Sequence, residues 1–528
     1  HDDRRLHRTQ AASNPIVQYA PSVVANLERS AARFPERCAV QRADVRVSFA
    51  ALWQTAQHFA GYLQREGLHR GDRVALLLNN SADCIAAIYG TLLAGGIAVT
   101  LNAAAKSREF VSWLGHSGAA FLVAEARSDA AEALAQLAPR PRVITVGPDA
   151  FDPDLGPAVR FEEVINAAQP PLTRLSNEES QAACILYTSG TTGRPKGVVL
   201  THGNLSSNNA AIVQYLSLHE HDSVLSILPF YYSYGASVLH SHIQCGGRIV
   251  LEPNFVYPHL VVENLARQQV SGFAGVPSTF ALLLSRVDLR KYDLSTVRYL
   301  TQAGGAMSPA LTQRLRSAIP SARLYVMYGQ TEATARLSYL APDMLDAKIG
   351  SVGVAVPGVQ LEIRREDGST AAPMEIGEVW ARGPNIMQGY WRDEAATKAV
   401  THAGWLKTGD LGYQDEDGYL YLAGRRSDII KTGAHRVHPK DVEEVLQELE
   451  QVVEAAVVGV DDELLGQAIA AFVVLAPNSQ LDAREIKTHC LKRLASYKVP
   501  KSVEFVTQLP KTSSGKVRRI ELMERKQS

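Results

Sequence analysis

Tyr187-Thr188-Ser189-Gly190-Thr191-Thr192-Gly193-Arg194-Pro195-Lys196-Gly197 is the stretch on which the fold turns. It follows the apolar run 182–187 and leads into a second one, 198–200, so it reads as a loop between two buried strands. Its three glycines let backbone N–H groups turn toward one point, and hydroxyls at Thr188, Ser189, Thr191 and Thr192 add short donors. Lys196 adds a mobile positive charge. Converging N–H donors with a cation suit a triphosphate. The stretch departs from the Walker pattern, because Gly197 stands where that pattern has Ser or Thr after the lysine. An ordinary Ser/Gly surface loop would lack the buried strands on both sides, so a phosphate cradle is expected.

Working outward, from about residue 21 to 305 amphipathic stretches alternate with short β-branched runs at 73–78, 120–124, 142–146 and 248–251. That alternation predicts βα units and parallel sheets. PPLTRLSNEESQ at 170–181 reads as a polar connector. Over 350–421 short strand-like pieces are punctuated by Asp367-Gly368, Ala403-Gly404 and Asp417-Gly418, as in a small barrel or meander. Beyond Arg425 a strand, a helix opened by Pro439, strands near 452–460 and 469–475, and a helix near 482–494 predict a separate α+β unit. The expected fold class is α/β: a large N-terminal domain, 1–424, of two βα-layered parallel-type sheets plus a small β-barrel, then a small mobile α+β C-terminal domain, 425–528.

Composition excludes several functions. With 46% hydrophobic and 20% charged residues over 528 positions, the chain can bury several cores and is not a disordered or fibrous sequence. Lys plus Arg (54) cancels Asp plus Glu (54), so no basic field gathers nucleic acid. The five cysteines are far apart and form no CxxC pair, which argues against a disulfide framework and a zinc site and favours a reducing compartment. No apolar run approaches the roughly 20 residues of a membrane span, and the opening HDDRR lacks a signal-peptide core. The expected location is the cytoplasm.

The string 187–197 resembles the phosphate-loop signature of the adenylate-forming superfamily: acyl-CoA synthetases, aryl-CoA ligases, peptide-synthetase adenylation domains and beetle luciferases. Further motifs of that superfamily follow in order, and the likeness runs from about residue 21 to 519, closest in look to acyl-CoA synthetases. Tyr328-Gly329-Gln330-Thr331-Glu332 is similar to its YGxTE segment. There the tyrosine stacks on adenine, the threonine contacts the α-phosphate and the glutamate holds Mg²⁺. A carboxylate beside a triphosphate does need a bridging hard cation. Gly304-Gly305-Ala306 resembles the wall against which adenine and acyl group pack. Asp410, in Lys407-Thr408-Gly409-Asp410, matches the aspartate that accepts from the ribose hydroxyls. Gly424-Arg425-Arg426-Ser427 looks like the junction, with Arg425 on ribose and phosphate and Ser427 at the hinge. Pro510-Lys511-Thr512-Ser513-Ser514-Gly515-Lys516 resembles PKTxSGK, whose last lysine neutralises charge at the α-phosphorus during adenylation.

The resemblance makes 1–424 the ATP- and acyl-binding domain. It implies a two-step reaction: a carboxylate attacks ATP to give acyl adenylate and pyrophosphate, and a thiol then takes the acyl group. Lys516, Glu332, Thr188 and Lys196 are the expected catalytic residues, with Glu332 toward Mg²⁺. Two departures bear on substrates. Ala434 stands where relatives usually carry glycine beside Gly433 at the pantetheine tunnel, so the acceptor is CoA or the phosphopantetheine of an acyl carrier protein. Tyr232 stands where many acyl-CoA synthetases have histidine, and no aspartate for an α-ammonium appears in Pro229-Phe230-Tyr231-Tyr232-Ser233-Tyr234-Gly235, which favours an unaminated fatty or aryl acid. Tyr231, Tyr232, Tyr234, Gly275 and Gly304 are the candidate acyl-pocket residues. Monomer and homodimer both fit. A silent nucleotide-binding protein or a luciferase-like oxygenase on the same fold are the rival classes.

Overall fold

The computed structural model describes residues 18–167, 172–188, 195–252, 255–433, 435–512 and 515–527. Two large sheets make up most of the chain. The eight-stranded sheet is parallel through Arg73–Leu77, Ile97–Thr100, Phe121–Glu125, Arg142–Val146, Ala158–Arg160 and Ala182–Thr188. The nine-stranded sheet is parallel through Ser223–Ser226, Arg248–Leu251, Gly272–Gly275, Tyr299–Gln302 and Arg323–Tyr328, with antiparallel strands at its edges. The two-residue side-chain period of a strand sorts neighbours onto opposite faces. Val224 joins the core between the two sheets, whereas adjacent Leu225 joins the core on the far face. Near-continuous apolar strands such as Arg73–Leu77 are what a sheet covered on both faces requires.

The small β unit is a five-stranded antiparallel sheet of Gln360–Arg364, Gly377–Arg382, Thr401–His402, Trp405–Gln414 and Leu420–Arg425. The C-terminal part has its own sheet, built on the long hairpin Val452–Asp462 with Gly466–Leu475. Strand alternation sorts its residues too: Val457 joins a core with Val442 and Leu446 of the helix Pro439–Gln447, while Ala456 and Val458 join Leu509 and Leu522 on the other face. The final helix, Arg519–Gln527, supplies Leu522, so residues past Lys516 are part of this core and not a loose tail. Against the N-terminal part, Pro277–Arg286 packs on Val452–Asp462 and Pro309–Ala318 on Pro439–Gln447. Among the described residues no helix is long and apolar enough to cross a membrane.

Candidate active site

Three neighbouring parallel strands, Gly272–Gly275, Tyr299–Gln302 and Arg323–Tyr328, end side by side. The carboxyl ends of parallel strands are where open α/β sheets bind ligands, because the connections there leave a crevice. Gly275, Gly304, Gly305, Ala306 and Tyr328 follow from those ends. Gly304 has φ +86°, a conformation that disfavours a side chain, and Gln302 donates to the Gly305 carbonyl at 2.8 Å. These residues form an open, polar-backboned ledge. Gly329 answers a different demand: a Cβ there would stand 1.8 Å from the Ala335 carbonyl oxygen, so glycine is required by the chain folding back on itself.

The hairpin base at the phosphate loop is described, and Thr188 and Lys196 are cross-strand partners in it. Ser189, Gly190, Thr191, Thr192 and Gly193 lie outside the described residues, as does Ala434. Lys196 lies 5.4 Å from the ring centroid of Tyr390, whose hydroxyl donates to Glu332 Oε1 at 2.9 Å. Burial, then the Glu332 carboxylate, pushes the Tyr390 hydroxyl pKa up, which keeps it a donor. Thr331 Oγ1 and Ser233 Oγ are 3.4 Å apart.

On the opposite wall the Tyr328 hydroxyl donates to Asp410 Oδ2 at 2.6 Å. Asp410 is directly across its strand from Arg425, whose Nε stands 3.2 Å from Asp410 Oδ1. Burial pushes the Asp410 carboxyl above its usual range, while Arg425, the Tyr328 hydroxyl and Lys516 pull it back. Arg425 keeps 55% of its side chain exposed, so it faces the open side of the cleft. Lys516 is brought to the same place: burial and then Arg425 pull its ammonium below the ordinary lysine value, against the pull of Asp410 and Glu332. Its turn is seated on the N-terminal part, since a Cβ at Gly515 (φ +81°) would lie 2.9 Å from Val276 Cγ2. Glu332, Tyr328, Asp410, Arg425 and Lys516 thus converge from four separate stretches of chain.

Other expected residues lie elsewhere. Ser427 donates to Asp428 Oδ1 at 2.9 Å in the short turn Arg426–Asp428, outside the cleft. Gly433 N–H donates to the Leu465 carbonyl at 2.8 Å on the C-terminal part's own surface. Tyr231 packs on the outer core of the eight-stranded sheet and Tyr232 meets it edge-on at 4.8 Å. Tyr234 is the tyrosine joined to Gly275, approaching its carbonyl at 3.4 Å and donating to Thr301 O at 2.9 Å.

Sequence reasoning missed Tyr390, Asn208, Asn385 and Arg336. Thr334, just after Glu332, sits at φ +67°, ψ −64°, a region costing about 1–3 kcal/mol for a non-glycine residue. Side-chain amides hold that turn. Asn385 Nδ2 donates to Ala333 O and Arg336 O at 3.1 and 3.0 Å, and Thr334 Oγ1 donates to Asn385 O at 2.7 Å. The one signal in the sequence was a buried helix, His202–Leu216, unusually rich in asparagine.

Glu332 suits a hard cation. Its Oε1 accepts from Tyr390, and no hydrogen bond to its other oxygen occurs among the described residues. Among the described residues no group of three His, Cys, Asp or Glu side chains forms a complete metal site.

A cleft in which one carboxylate, two cations and a buried aspartate converge at parallel-strand ends defines a nucleotide-dependent enzyme. Residues 27–391 match the model of the AMP-binding enzyme family and 441–516 that family's C-terminal domain, and the chain belongs to this family. It is 35% identical over 498 residues to a 2-succinylbenzoate–CoA ligase of Bacillus licheniformis, covering 94% of this chain and 98% of the relative. It is 32% identical to a long-chain-fatty-acid–CoA ligase of Bacillus subtilis, covering 94% and 93%. The solved o-succinylbenzoate CoA synthetase of Bacillus subtilis, in complex with its acyl-adenylate intermediate, superposes with a TM-score of 0.82 at 30% identity, covering 96% of this chain and 98% of that one. The same synthetase has been solved with ATP and magnesium ion.

Proposed function

We propose that the protein is an AMP-forming acid–thiol ligase: it activates a carboxylic acid with ATP to an acyl adenylate, releasing pyrophosphate, and passes the acyl group to the thiol of CoA. The observation that carries this is the convergence of Lys516 with Arg425, Asp410 and Glu332 at the ledge formed by Gly304 and Gly305.

A carboxylate is a poor acyl donor because its leaving group would be oxide, and attack on the α-phosphorus of ATP exchanges that group for AMP. Nothing in this needs an enzyme nucleophile, so the residues act by position and charge. Asp410, held by Tyr328 and Arg425, accepts from the ribose hydroxyls. Lys516 and Arg425 meet the negative charge that grows around the α-phosphorus. Lys196 and the loop 189–193 hold the outer phosphates. Glu332 would hold a magnesium ion, which would neutralise phosphate charge. Tyr234 and Gly275 flank the acyl group, whereas Tyr231 and Tyr232, on the outer core of the eight-stranded sheet, stand apart from it. The thiol step follows when the part beyond Arg425 turns at Ser427, taking Lys516 out and bringing in Gly433 and Ala434. We take 1–424 and 425–528 as the two moving bodies. The five cysteines, all free, fit a cytoplasmic enzyme.

The test is pyrophosphate release with ATP and Mg²⁺ over fatty, aryl and small branched acids, with and without CoA, the product being weighed by mass spectrometry. Acyl-CoA with one acid class is the expected result. Acyl-AMP without acyl-CoA would move the acceptor to a carrier-protein phosphopantetheine, and no pyrophosphate with any acid would defeat the ligase function.

A further inference from the structure

Arg336 is a buried cation four residues past Glu332. It is 2% exposed, yet among the described residues it forms no ion pair and its Nε meets no acceptor. Buried guanidinium groups are ordinarily matched by a carboxylate, because the hydration lost on burial has to be replaced. The Tyr215 hydroxyl offers a neutral partner and no charge.

The cation is also held in place. Asn208 grips its peptide from one side, accepting from Arg336 N–H at 3.0 Å and donating to Arg336 O at 2.9 Å, and Asn385 adds a 3.0 Å bond to the same carbonyl. The guanidinium carbon lies 4.3 Å from the centroid of the Tyr234 ring, and Tyr234 is pinned through its hydroxyl to Thr301 O and Gly275 O. Stacking satisfies the face of a guanidinium and leaves its in-plane N–H donors to others. Through the Tyr234 ring this clamped cation is linked to the strand end at Gly275, which the ligase function proposed above puts beside the acyl group.

We propose that Arg336 receives a second carboxylate of the acid, so that the substrate class is a dicarboxylic acid with one carboxyl group activated and the other anchored. This rests on the ligase function proposed above. A planar carboxylate matches the guanidinium fork in two parallel hydrogen bonds. Because the anchored group does not react, its contact is present in ground and transition states alike and acts mainly on KM.

Rates of acyl-CoA formation with ATP, Mg²⁺ and CoA test this on matched pairs: isophthalate against benzoate, adipate against hexanoate, and 2-succinylbenzoate against 4-oxo-4-phenylbutanoate, which lacks the ring carboxylate. In at least one pair the wild-type chain is expected to favour the dicarboxylate by about 100-fold in kcat/KM, carried by KM. Arg336→Met should cut that preference to about threefold or less, and Arg336→Lys should keep part of it. Wild-type turnover of monoacids without preference for the diacid overturns the proposal, as does an Arg336→Met chain that loses both members of the pair equally. If Arg336→Met fails to fold, as judged by thermal unfolding, the wild-type ratio and Arg336→Lys decide. Absence of turnover with every acid defeats the ligase function and this proposal with it, whereas monoacid turnover without preference defeats this proposal alone.

Discussion

In the proposed reaction Lys516 is a single charge whose surroundings set its protonation. Burial and the neighbouring Arg425 lower its pKa, so in the free enzyme it loses its proton at a lower pH than an ordinary lysine. The protonated form is the one that meets phosphate charge. The kcat/KM of adenylation, which reports the free enzyme, should therefore fall on the alkaline side below the usual lysine value. Lys516→Arg should remove that limb within the accessible range, because guanidinium stays protonated. Lys516→Ala should slow adenylation by about 10²–10³ while thioester formation from supplied acyl adenylate persists. Isotope exchange between ATP and pyrophosphate across pH measures the first half-reaction, and equal loss of both halves would show that Lys516 serves more than adenylation.

At the scale of elements, the helix His202–Leu216 does work that its composition disguises. Thr201 and Asn204 form a capping box at its start, and Asn204 Nδ2 also donates to Pro384 O and Ile386 O at 2.7 and 2.9 Å. One turn on, Asn208 grips Arg336. Residues four apart share a helix face, so both amides point at the loops that carry Glu332 and Tyr390. An amide side chain can donate and accept at once, as a peptide does, which is how a polar helix is satisfied in a core. Asn208→Ala would leave the buried Arg336 N–H without its partner and should lower stability by about 1–3 kcal/mol, read from the denaturant midpoint at unchanged slope.

For the whole molecule, the arrangement seen is one that places Lys516 in the cleft and Gly433 outside it. The strand Leu420–Arg425 and the helix Pro439–Gln447 are tied across the junction by Lys440 Nζ, which donates to Leu422 O at 2.8 Å. Nearby, Arg426 pairs with Glu366 at 2.7 Å, an exposed contact worth little by itself. Lys440→Met removes the tie but keeps the apolar stem. Adenylation should slow by about three- to tenfold, while the thioester half-reaction from supplied acyl adenylate stays the same or quickens. Slowing of both halves together would mean that the tie serves folding and not the balance between two arrangements.

Most of the fold was legible in the chain because it follows from local periods. Alternating βα texture predicts two parallel sheets, turn dipeptides over 350–421 predict a small barrel or meander where the structure has a five-stranded antiparallel sheet, and Pro439 opens a helix that the structure bears out at Pro439–Gln447. The same holds for the motif residues Tyr328, Asp410, Arg425, Glu332 and Lys516, since a resemblance is carried by residue type and order, whereas their meeting place is not. The last helix, Arg519–Gln527, was not foreseen, because its charged sequence carries only a weak apolar stripe and it is held by Leu522 reaching a distant core. Tyr390, Asn385, Asn208 and Arg336 were invisible for a related reason. Each acts on a residue remote in sequence, Tyr390 on Glu332 at a separation of 58 and Asn208 on Arg336 at 128. A hydrogen bond is short and directional, so its partner is set by where the folded chain brings backbone and side chain together. By itself the sequence determined the layers and the family; only tertiary structure decided what holds Glu332 and that the Arg336 guanidinium is buried without an ion pair among the described residues, because burial and partnership exist only once distant segments pack.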